Sequence, residues 1–291
     1  MGKFRGCGVA ITTPMDEFKI IDYDTLEKHI EFLIDNEVDA IVPCGTTGES
    51  ATLSFEEKLE VTKFVVDQVA GRVPVIAGSG GNSTSKVIEL SKALEEIGVD
   101  GLLIVTPFYN KTTQKGLYNH YKEVAESVEL PIILYNVPSR TGLNMLPSTV
   151  AELSKIDNIK GIKEASGDIS QVAEISRLCD IDIYAGNDDQ ILPILSLGGV
   201  GVISSVGNII PREVHNLVFS YFERDIATSR ELQLDMLALV SAIFIEVNPV
   251  PVKVALELMG FGEAHVRAPL YDMEKQNIDI LKKEMKNYGV L

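Results

Sequence analysis

The chain has 291 residues, of which 45% are hydrophobic and 23% are charged, enough for a large core in one big domain or two small ones. Its formal net charge of −16 argues against a nucleic-acid-binding surface, which would need clustered lysines and arginines. Its longest apolar stretch, 236–247, is too short to cross a membrane, no signal peptide is evident, and its three cysteines show no paired spacing, so we expect a cytoplasmic protein.

Eight short apolar runs, rich in β-branched residues, predict β-strands. Most of these runs are continuous rather than alternating, as in "VPVIAG" and "GLLIVTP", which is typical of parallel strands covered by helices. Most are followed by a helical pattern. The strands are expected to begin near Cys7, Ala40, Pro74, Gly101, Pro131, Ile159, Ile181 and Gly201.

Helix starts support the same division of the chain. Ser54 with Glu57, and Asp168 with Gln171, have the spacing of capping boxes before apolar periodic runs. Eight strand–helix units predict a TIM (β/α)8 barrel over residues 1–223. A doubly wound open sheet is the alternative, but "GCGVAITTPMDE" lacks the third glycine and the following helix that such a sheet would need.

The chain continues well beyond the eighth strand. The segment "PREVHNLVFSYF" can close the barrel, and three further helical patterns follow at about 224–245, 250–259 and 272–288. We interpret residues 224–291 as a C-terminal helical appendix. No low-complexity linker separates it from the barrel, so we expect it to pack firmly there.

Polar side chains cluster at the predicted carboxyl ends of the strands, the face where TIM barrels carry their chemistry. The second strand ends in "CGTTGES", the fourth in "TPFYN", the fifth in "LYNVPSRTG" and the seventh in "YAGNDD". The sixth ends in "GIKEASGD", with Lys163 on the same side of the pleat as Ile159 and Gly161 and with Lys160 on the opposite face. The residues expected at this mouth are Thr46, Thr47, Tyr109, Tyr135, Asn136, Arg140 and Lys163.

The types of these residues indicate amine chemistry. A lysine desolvated in a barrel can attack a ketone as the neutral amine and form a Schiff base, whose iminium is an electron sink. The phenol of Tyr135 is a reasonable proton relay one strand away, with Thr47 and Tyr109 as hydrogen-bond partners. Arg140 offers a bidentate fork for a carboxylate, and backbone amides of the turn 45–48 could hold a second one.

Each residue alone also has an ordinary structural explanation. Lys163 could reach solvent from the end of its strand, Tyr135 could be a rim aromatic, and Arg140 could form a weak surface ion pair. Their joint placement at one mouth favours a catalytic site. Lys160, near the start of the strand, is predicted to be dispensable.

A metal or phosphate site is not expected. Asp188 and Asp189 could suggest a metal site, but the four histidines show no metal-ligand spacing. The sequence therefore argues against a metal hydrolase. Gly198 and Gly199 precede the eighth strand, at the wrong face for the phosphate site of a barrel, and are interpreted as turn residues.

With these residues in place, the sequence resembles the dihydrodipicolinate synthase and N-acetylneuraminate lyase family of pyruvate-dependent class I aldolases. The match runs nearly end to end, through "GVAITTP", "GTTGE", "TPFYN", "YNVPSRTG", "GIKEASGD", "GVISS" and "NPVPVKVALELMG". The resemblance implies no cofactor, because Lys163 forms the Schiff base with pyruvate itself. It implies a relay of Tyr135, Thr47 and Tyr109 of the partner subunit, and a pocket made by Thr46, Thr47 and the backbone at Gly186 and Ile203.

The "SRTG" form of the segment around Arg140 resembles the synthase branch of this family. That branch implies condensation of pyruvate with L-aspartate 4-semialdehyde to 4-hydroxy-tetrahydrodipicolinate, the first committed step towards diaminopimelate and lysine. The alternative is another aldolase of the family, of the N-acetylneuraminate lyase or 2-keto-3-deoxygluconate aldolase type. The resemblance also implies a homo-oligomer, for which we expect a tetramer built as a dimer of dimers.

The sequence departs from the lysine-inhibited members of this family at three positions that concern regulation. Lysine-inhibited members bind lysine with residues that include a histidine, a glutamate and a tyrosine, and the matching positions here are Lys58, Lys86 and Phe108, whereas Ser50, Ala51 and Asn82 are kept. Two added cations would repel a cationic effector, so we expect an enzyme that lysine does not inhibit.

Overall fold

The computed structural model describes residues 4–291 and contains a barrel of eight parallel strands, which confirms the predicted TIM barrel. The strands follow the order β2-β1-β8-β7-β6-β5-β4-β3, and a parallel bridge between Ile41 and Val75 joins the two ends of this sheet. They are β1 Gly6–Val9, β2 Ala40–Ile41, β3 Ile76–Gly78, β4 Gly101–Val105, β5 Ile132–Asn136, β6 Ile159–Glu164, β7 Asp182–Ala185 and β8 Gly201–Ser204.

Helices follow the strands and cover the outside of the barrel. They are α1 Tyr23–Asp35, α2 Phe55–Val69, α3 Thr84–Ile97, α4 Gln114–Ala125, α5 Pro138–Thr141, α6 Pro147–Leu153, α7 Ile169–Leu178, α8 Ile191–Ser196 and α9 Pro211–Phe222. Short 3-10 turns at Asp188–Gln190 and Val206–Asn208 follow β7 and β8. None of the helices within residues 4–291 has the length and apolar character that crossing a membrane requires.

Four more helices form the C-terminal part: α10 Ile226–Asp235, α11 Leu237–Ile243, α12 Val250–Leu258 and α13 Lys275–Tyr288. The single helix expected at 224–245 is therefore wrong, because α10 ends before Met236 and α11 begins after it. The two helices face different neighbours: α10 packs on α9, whereas α11 packs on α13 and on the 3-10 turns after β7 and β8. The contacts of α11 lie at the carboxyl ends of the strands. The division of the chain at residue 223 stays a proposal.

Two hydrophobic layers surround the strands, which explains why their sequences are continuously apolar. A large outer layer lies between strands and helices, and a small inner layer fills the barrel. Phe4 stacks on Tyr184 at 4.6 Å between ring centroids, and the Tyr184 hydroxyl donates to the Phe4 carbonyl at 2.9 Å. The N-terminal half of the interior is thus filled, and the interior opens at the other end.

Strand β6 departs from the expected alternation. Ile132 and Ile133 of β5 pair with Ile159 and Gly161, so Lys160 is an extra residue in the ladder. Ile159 consequently lies in the outer hydrophobic layer, and its predicted place beside Lys163 is wrong. The extra residue restores Gly161 and Lys163 to the interior, and Lys160 is exposed.

The two predicted capping boxes have different outcomes. Ser54 and Glu57 form the reciprocal pair of hydrogen bonds at the start of α2. Asp168 caps α7 by accepting from the backbone amides of Ser170 and Gln171, but the Gln171 side chain turns to buried partners instead of closing the box. The second box is therefore only half formed.

Candidate active site

Lys163 lies in a pocket of about 200 Å³ at the carboxyl ends of the strands. Its side chain is only 5% exposed, and its ammonium makes no hydrogen bond or ion pair among residues 4–291. Tyr135 on β5 pairs with Lys163 on β6, which brings Nζ to 4.5 Å from the centroid of the phenol ring. An amine held out of bulk water, free of a carboxylate partner and next to a phenol, is equipped for nucleophilic attack and proton exchange.

Most of the predicted site residues share this pocket. Position 186 has no room for a side chain, because a Cβ there would lie 2.5 Å from the Cβ of Ala165 and 2.9 Å from the carbonyl oxygen of Glu164. Tyr109 and Ile203 do not line the pocket: Tyr109 is 93% exposed, and Ile203 is buried in the inner layer. The predicted residues that line the pocket are Thr46, Thr47, Tyr135, Arg140, Lys163 and Gly186.

Asn248 and Ser205 are pocket residues that the sequence did not reveal. The Asn248 side-chain amide donates to Thr47 Oγ1 at 2.9 Å, and Ser205 Oγ lies 3.3 Å from the same oxygen. The guanidinium of Arg140 donates to the Asn248 backbone carbonyl at 3.3 Å. Asn248 is 6% exposed, and its Oδ1 has no hydrogen-bond partner among residues 4–291. This asparagine, from the turn before α12, therefore links Thr47 to Arg140.

Asp188 lies beneath the pocket with its carboxylate fully engaged. It accepts hydrogen bonds from Ser204 Oγ at 2.6 Å and from the amides of Ser205 and Val206 at 3.1 and 3.0 Å. Burial raises the pKa of Asp188, while these hydrogen bonds and the charge of Lys163 oppose that shift. Within residues 4–291, no cluster of three or more His, Cys, Asp or Glu side chains could bind a metal ion.

A second buried carboxylate holds the ends of β5 and β6. Glu164, the residue after Lys163, accepts from the Asn136 amide at 3.2 and 3.1 Å, from the Gln171 amide at 3.1 Å and from the Ser166 backbone at 2.7 Å. Burial raises the pKa of Glu164 against these stabilising bonds. Because Asn136 and Glu164 directly follow the two pocket residues of their strands, this network fixes the position of both.

The turn that carries Thr46 and Thr47 is anchored by the C-terminal part of the chain. It ends at Glu49, whose buried carboxylate pairs with Lys253 of α12 and accepts from the Arg267 backbone amide at 3.1 Å. Lys253 Nζ also donates to the His265 carbonyl at 2.6 Å. Burial lowers the pKa of Lys253, and the charge of Glu49 opposes that shift. The Arg267 guanidinium binds both carboxylate oxygens of Glu57 at 2.7 and 2.6 Å.

A larger cavity of about 710 Å³ adjoins the pocket, and we call it the outer cavity. Thr46, Val137, Arg140 and Asn248 line both spaces, so the two share a wall. The positions that matched the lysine-binding residues of inhibited relatives all line the outer cavity: Ser50, Ala51, Lys58, Asn82, Lys86 and Phe108.

Comparison with known proteins gives one consistent result. A sequence model described as the dihydrodipicolinate synthetase family matches residues 3–288. The 4-hydroxy-tetrahydrodipicolinate synthase of Caldicellulosiruptor bescii is 55% identical over 291 residues, covering 100% of this chain and 99% of that protein. Clostridium acetobutylicum 4-hydroxy-tetrahydrodipicolinate synthase 1 is 50% identical and is covered over its full length. Among solved structures, the Thermotoga maritima dihydrodipicolinate synthase has a TM-score of 0.98 at 41% identity, with 100% of both chains covered.

Proposed function

The chain belongs to the dihydrodipicolinate synthetase family, and on that premise we propose that it condenses pyruvate with L-aspartate 4-semialdehyde to give 4-hydroxy-tetrahydrodipicolinate. The observation that carries the mechanism is the buried amine of Lys163 beside the phenol ring of Tyr135. The activity named for the relatives favours the synthase over the N-acetylneuraminate lyase or 2-keto-3-deoxygluconate aldolase alternative.

The reaction begins with the amine of Lys163. Attack on the pyruvate ketone gives a carbinolamine, which loses water to form the iminium, and loss of a methyl proton then gives the enamine. The enamine carbon attacks the aldehyde of the semialdehyde, forming the new carbon–carbon bond and a hydroxyl group. The substrate amine finally displaces Lys163 from the iminium, which closes the ring and regenerates the free lysine. One water is released overall, and the iminium is the electron sink, so no cofactor is needed.

Tyr135 and Thr47 move the protons of these steps. Asn248 donates to Thr47 Oγ1 and so occupies a lone pair of that oxygen. The Thr47 hydroxyl proton must therefore point to another acceptor, such as Ser205 or the Tyr135 oxygen. Asn248 thus sets the direction in which Thr47 can pass a proton.

The carboxylates of pyruvate and of the semialdehyde need two separate groups of binding residues. Thr46, Thr47 and the backbone at Gly186 and Ile203 are assigned to the carboxylate and body of pyruvate. Arg140 is assigned to the carboxylate of the semialdehyde, because its guanidinium lines the pocket and spends only one donor on the Asn248 carbonyl. Replacing Arg140 by alanine should abolish turnover of the semialdehyde while pyruvate still forms its adduct.

Borohydride trapping tests the mechanism directly. Reduction of the protein in the presence of pyruvate should attach a pyruvyl group to Lys163, detectable by peptide mass analysis. Lys160→Ala is the matched control, because it removes an exposed lysine of the same strand and should leave trapping unchanged. Absence of an adduct on Lys163 would sink the mechanism.

Tyr109 is assigned to the pocket of the partner subunit, within a homotetramer built as a dimer of dimers. Its backbone has a φ of 71°, a strained value for a tyrosine, and its ring is almost wholly exposed in the single chain. Coexpression of Tyr109→Phe with Lys163→Ala tests this arrangement. Mixed dimers would contain one pocket with both residues intact and should regain activity, whereas a Tyr109 that acts within its own chain would give none.

Two further assignments concern regulation and location. Lys58 and Lys86 line the outer cavity, so we expect no half-inhibition at submillimolar lysine in a steady-state assay, and such inhibition would contradict this assignment. The protein is assigned to the cytoplasm, in keeping with its biosynthetic reaction and its three free cysteines.

A further inference from the structure

Asp188 is a buried acid to which the reaction proposed above gives no role. Three acids of the described residues 4–291 are buried: Glu49, Glu164 and Asp188. Glu49 pairs with Lys253. The carboxylate of Asp188 accepts from neutral donors and forms no ion pair in the part of the chain that the structure describes. A buried carboxylate keeps its charge only where hydrogen bonds or a nearby cation compensate for its lost hydration.

The hydrogen bonds of Asp188 favour its ionised form. One carboxylate oxygen accepts from Ser204 Oγ at 2.6 Å, and the other accepts from the amides of Ser205 and Val206. Ser204 Oγ in turn accepts from the Gly207 amide at 2.8 Å, which leaves its own hydrogen for Asp188. Hydrogen bonds to the charged form of an acid favour ionisation. The carboxylate is therefore held in a fixed position without a bound cation.

Lys163 is the cationic group that this carboxylate faces. Strand β7 pairs with β6 so that Tyr184 lies opposite Lys163, and Asp188 follows β7 directly. Asn187 precedes Asp188, Ser205 donates its amide to Asp188, and both residues line the pocket of Lys163. Burial raises the pKa of Asp188, and the charge of Lys163 acts in the opposite direction. The two groups therefore interact electrostatically across the floor of the pocket.

The other titratable and charged groups around this pair come from five elements. They are Cys7 on β1, Tyr135 on β5, Arg140 on α5, Glu164 on β6 and Tyr184 on β7. Burial raises the pKa of Cys7 and of Tyr184, so both are neutral at physiological pH. Arg140 is exposed to solvent, which screens its charge. The helices α8 and α11, which pack on the turn that begins at Asp188, have no titratable side chain.

Glu164 is the neighbouring buried acid, but it lies on the other face of β6 from Lys163. Its carboxylate accepts from Asn136 and from Gln171 of α7, on the outside of the barrel. Burial raises the pKa of Glu164, and hydrogen bonds from neutral groups oppose that shift. Asp188 is therefore the better placed of these two acids to act on the amine of Lys163.

We propose that Asp188 is a positioning residue for the reaction, an internal counter-charge that stabilises Lys163 whenever its nitrogen is cationic. The proposal rests on the Schiff-base reaction described above. When the carbinolamine becomes the iminium, its C–O bond breaks, the oxygen takes up a relayed proton and leaves as water, and the nitrogen becomes positively charged. A carboxylate already fixed by its hydrogen bonds needs no reorganisation when that charge appears.

The pH profile of pyruvate trapping tests this role on the intact protein. D188N keeps the size of the side chain and removes its charge. Cyanoborohydride reduces iminium ions without alkaline conditions, so adduct formation can be followed over a range of pH. Without the counter-charge, the neutral amine persists to lower pH, and the pH at which the rate of adduct formation is half-maximal should fall by about one unit. Above that pH the apparent dissociation constant of pyruvate should rise about tenfold, and below it the constant should change little.

Two control variants separate the charge of Asp188 from its structural contacts. S204A removes one hydrogen bond to Asp188 but keeps the charge, and E164Q removes the charge on the other face of β6. Both should keep the half-maximal pH of the parent even where adduct forms more slowly. A D188N protein with the parent's pH profile would overturn the proposal, and so would an equal shift in S204A or E164Q.

A second measurement covers the case in which urea denaturation shows that D188N does not fold. K163M removes the cation instead, so Asp188 should take up a proton at higher pH than in the parent, visible as the infrared carbonyl band of a protonated acid. The same band at the same pH in both proteins would overturn the proposal. A parent protein that forms no adduct on Lys163 would refute the Schiff-base mechanism and this proposal together, whereas normal trapping with an unshifted D188N would refute this proposal alone.

Discussion

Replacing Lys253 by methionine removes the counter-charge of Glu49 while filling nearly the same space. The carboxylate of Glu49 is completely buried, and after the substitution it would still accept a hydrogen bond from the Arg267 backbone amide at 3.1 Å. Breaking a buried ion pair in this way costs about 3–5 kcal/mol, because the remaining charge has no compensation. Since the Arg267 amide still stabilises the carboxylate, we expect a loss near the lower limit, about 3 kcal/mol.

Urea denaturation of the intact protein measures this loss as a change in the free energy of unfolding. The double variant K253M/E49Q replaces the stranded carboxylate with an amide and should recover most of the stability lost in K253M. The control is K63M, which breaks an ion pair with Asp67 whose side chains are 64% and 61% exposed, and which should cost less than about 0.5 kcal/mol.

Two results would refute the reasoning about Glu49. One is a K253M protein within about 1 kcal/mol of the parent, which would mean that the ion pair adds little over hydrophobic packing. The other is a double variant that is no more stable than K253M. That result would mean that K253M loses unfolding free energy because the packing of the lysine side chain is lost, and not because the Glu49 charge is isolated.

Three further predictions follow from the site and the core. Asn248→Ala should lower kcat about five- to tenfold, the value of one neutral hydrogen bond to Thr47, without preventing borohydride trapping; an unchanged kcat would contradict the role of Asn248. Tyr109→Phe should lower kcat about a hundredfold while the unfolding free energy stays within about 0.5 kcal/mol, because the side chain is exposed in the single chain. Burial lowers the pKa of His29 from 6.5 to about 4, so the unfolded chain binds the proton more readily than the folded one, and stability should fall as pH drops from about 6.5 towards 4. Between pH 7 and 5 this histidine accounts for about 2 kcal/mol, a loss that His29→Gln should remove from the urea-derived stability profile.

Repetition made the barrel predictable. Each βα unit repeats a continuous apolar run and a periodic helix, and every strand begins within two residues of its predicted start. The rule that barrels carry their chemistry at the carboxyl ends of strands then led from Lys163 to Tyr135 and Thr47, which line one pocket. Local sequence pattern was enough to group these three residues, because the alternation of side chains along each strand and the order of the strands determine which side chains meet.

The parts of the site that the sequence did not predict depend on contacts that no local sequence pattern encodes. Asn248 reaches Thr47 across 201 residues of sequence, from a turn that resembles many others. Lys160 is an extra residue in the ladder, and without a structure the pleat count placed Ile159 on the wrong side. Tyr109 needs a second chain to acquire its proposed role. These cases share one cause: the partner lies far away in sequence or in another molecule.

The pairing of Glu49 with Lys253 also sets an order of events during synthesis. The two residues are 204 positions apart, so at 5–20 residues per second the ribosome makes Lys253 roughly 10 to 40 s after Glu49. Until then, the turn that carries Thr46 and Thr47 has a solvated carboxylate at its end and no anchor. A nascent barrel can assemble its strands as they emerge, but it acquires a finished pocket only when the last quarter of the chain has left the tunnel.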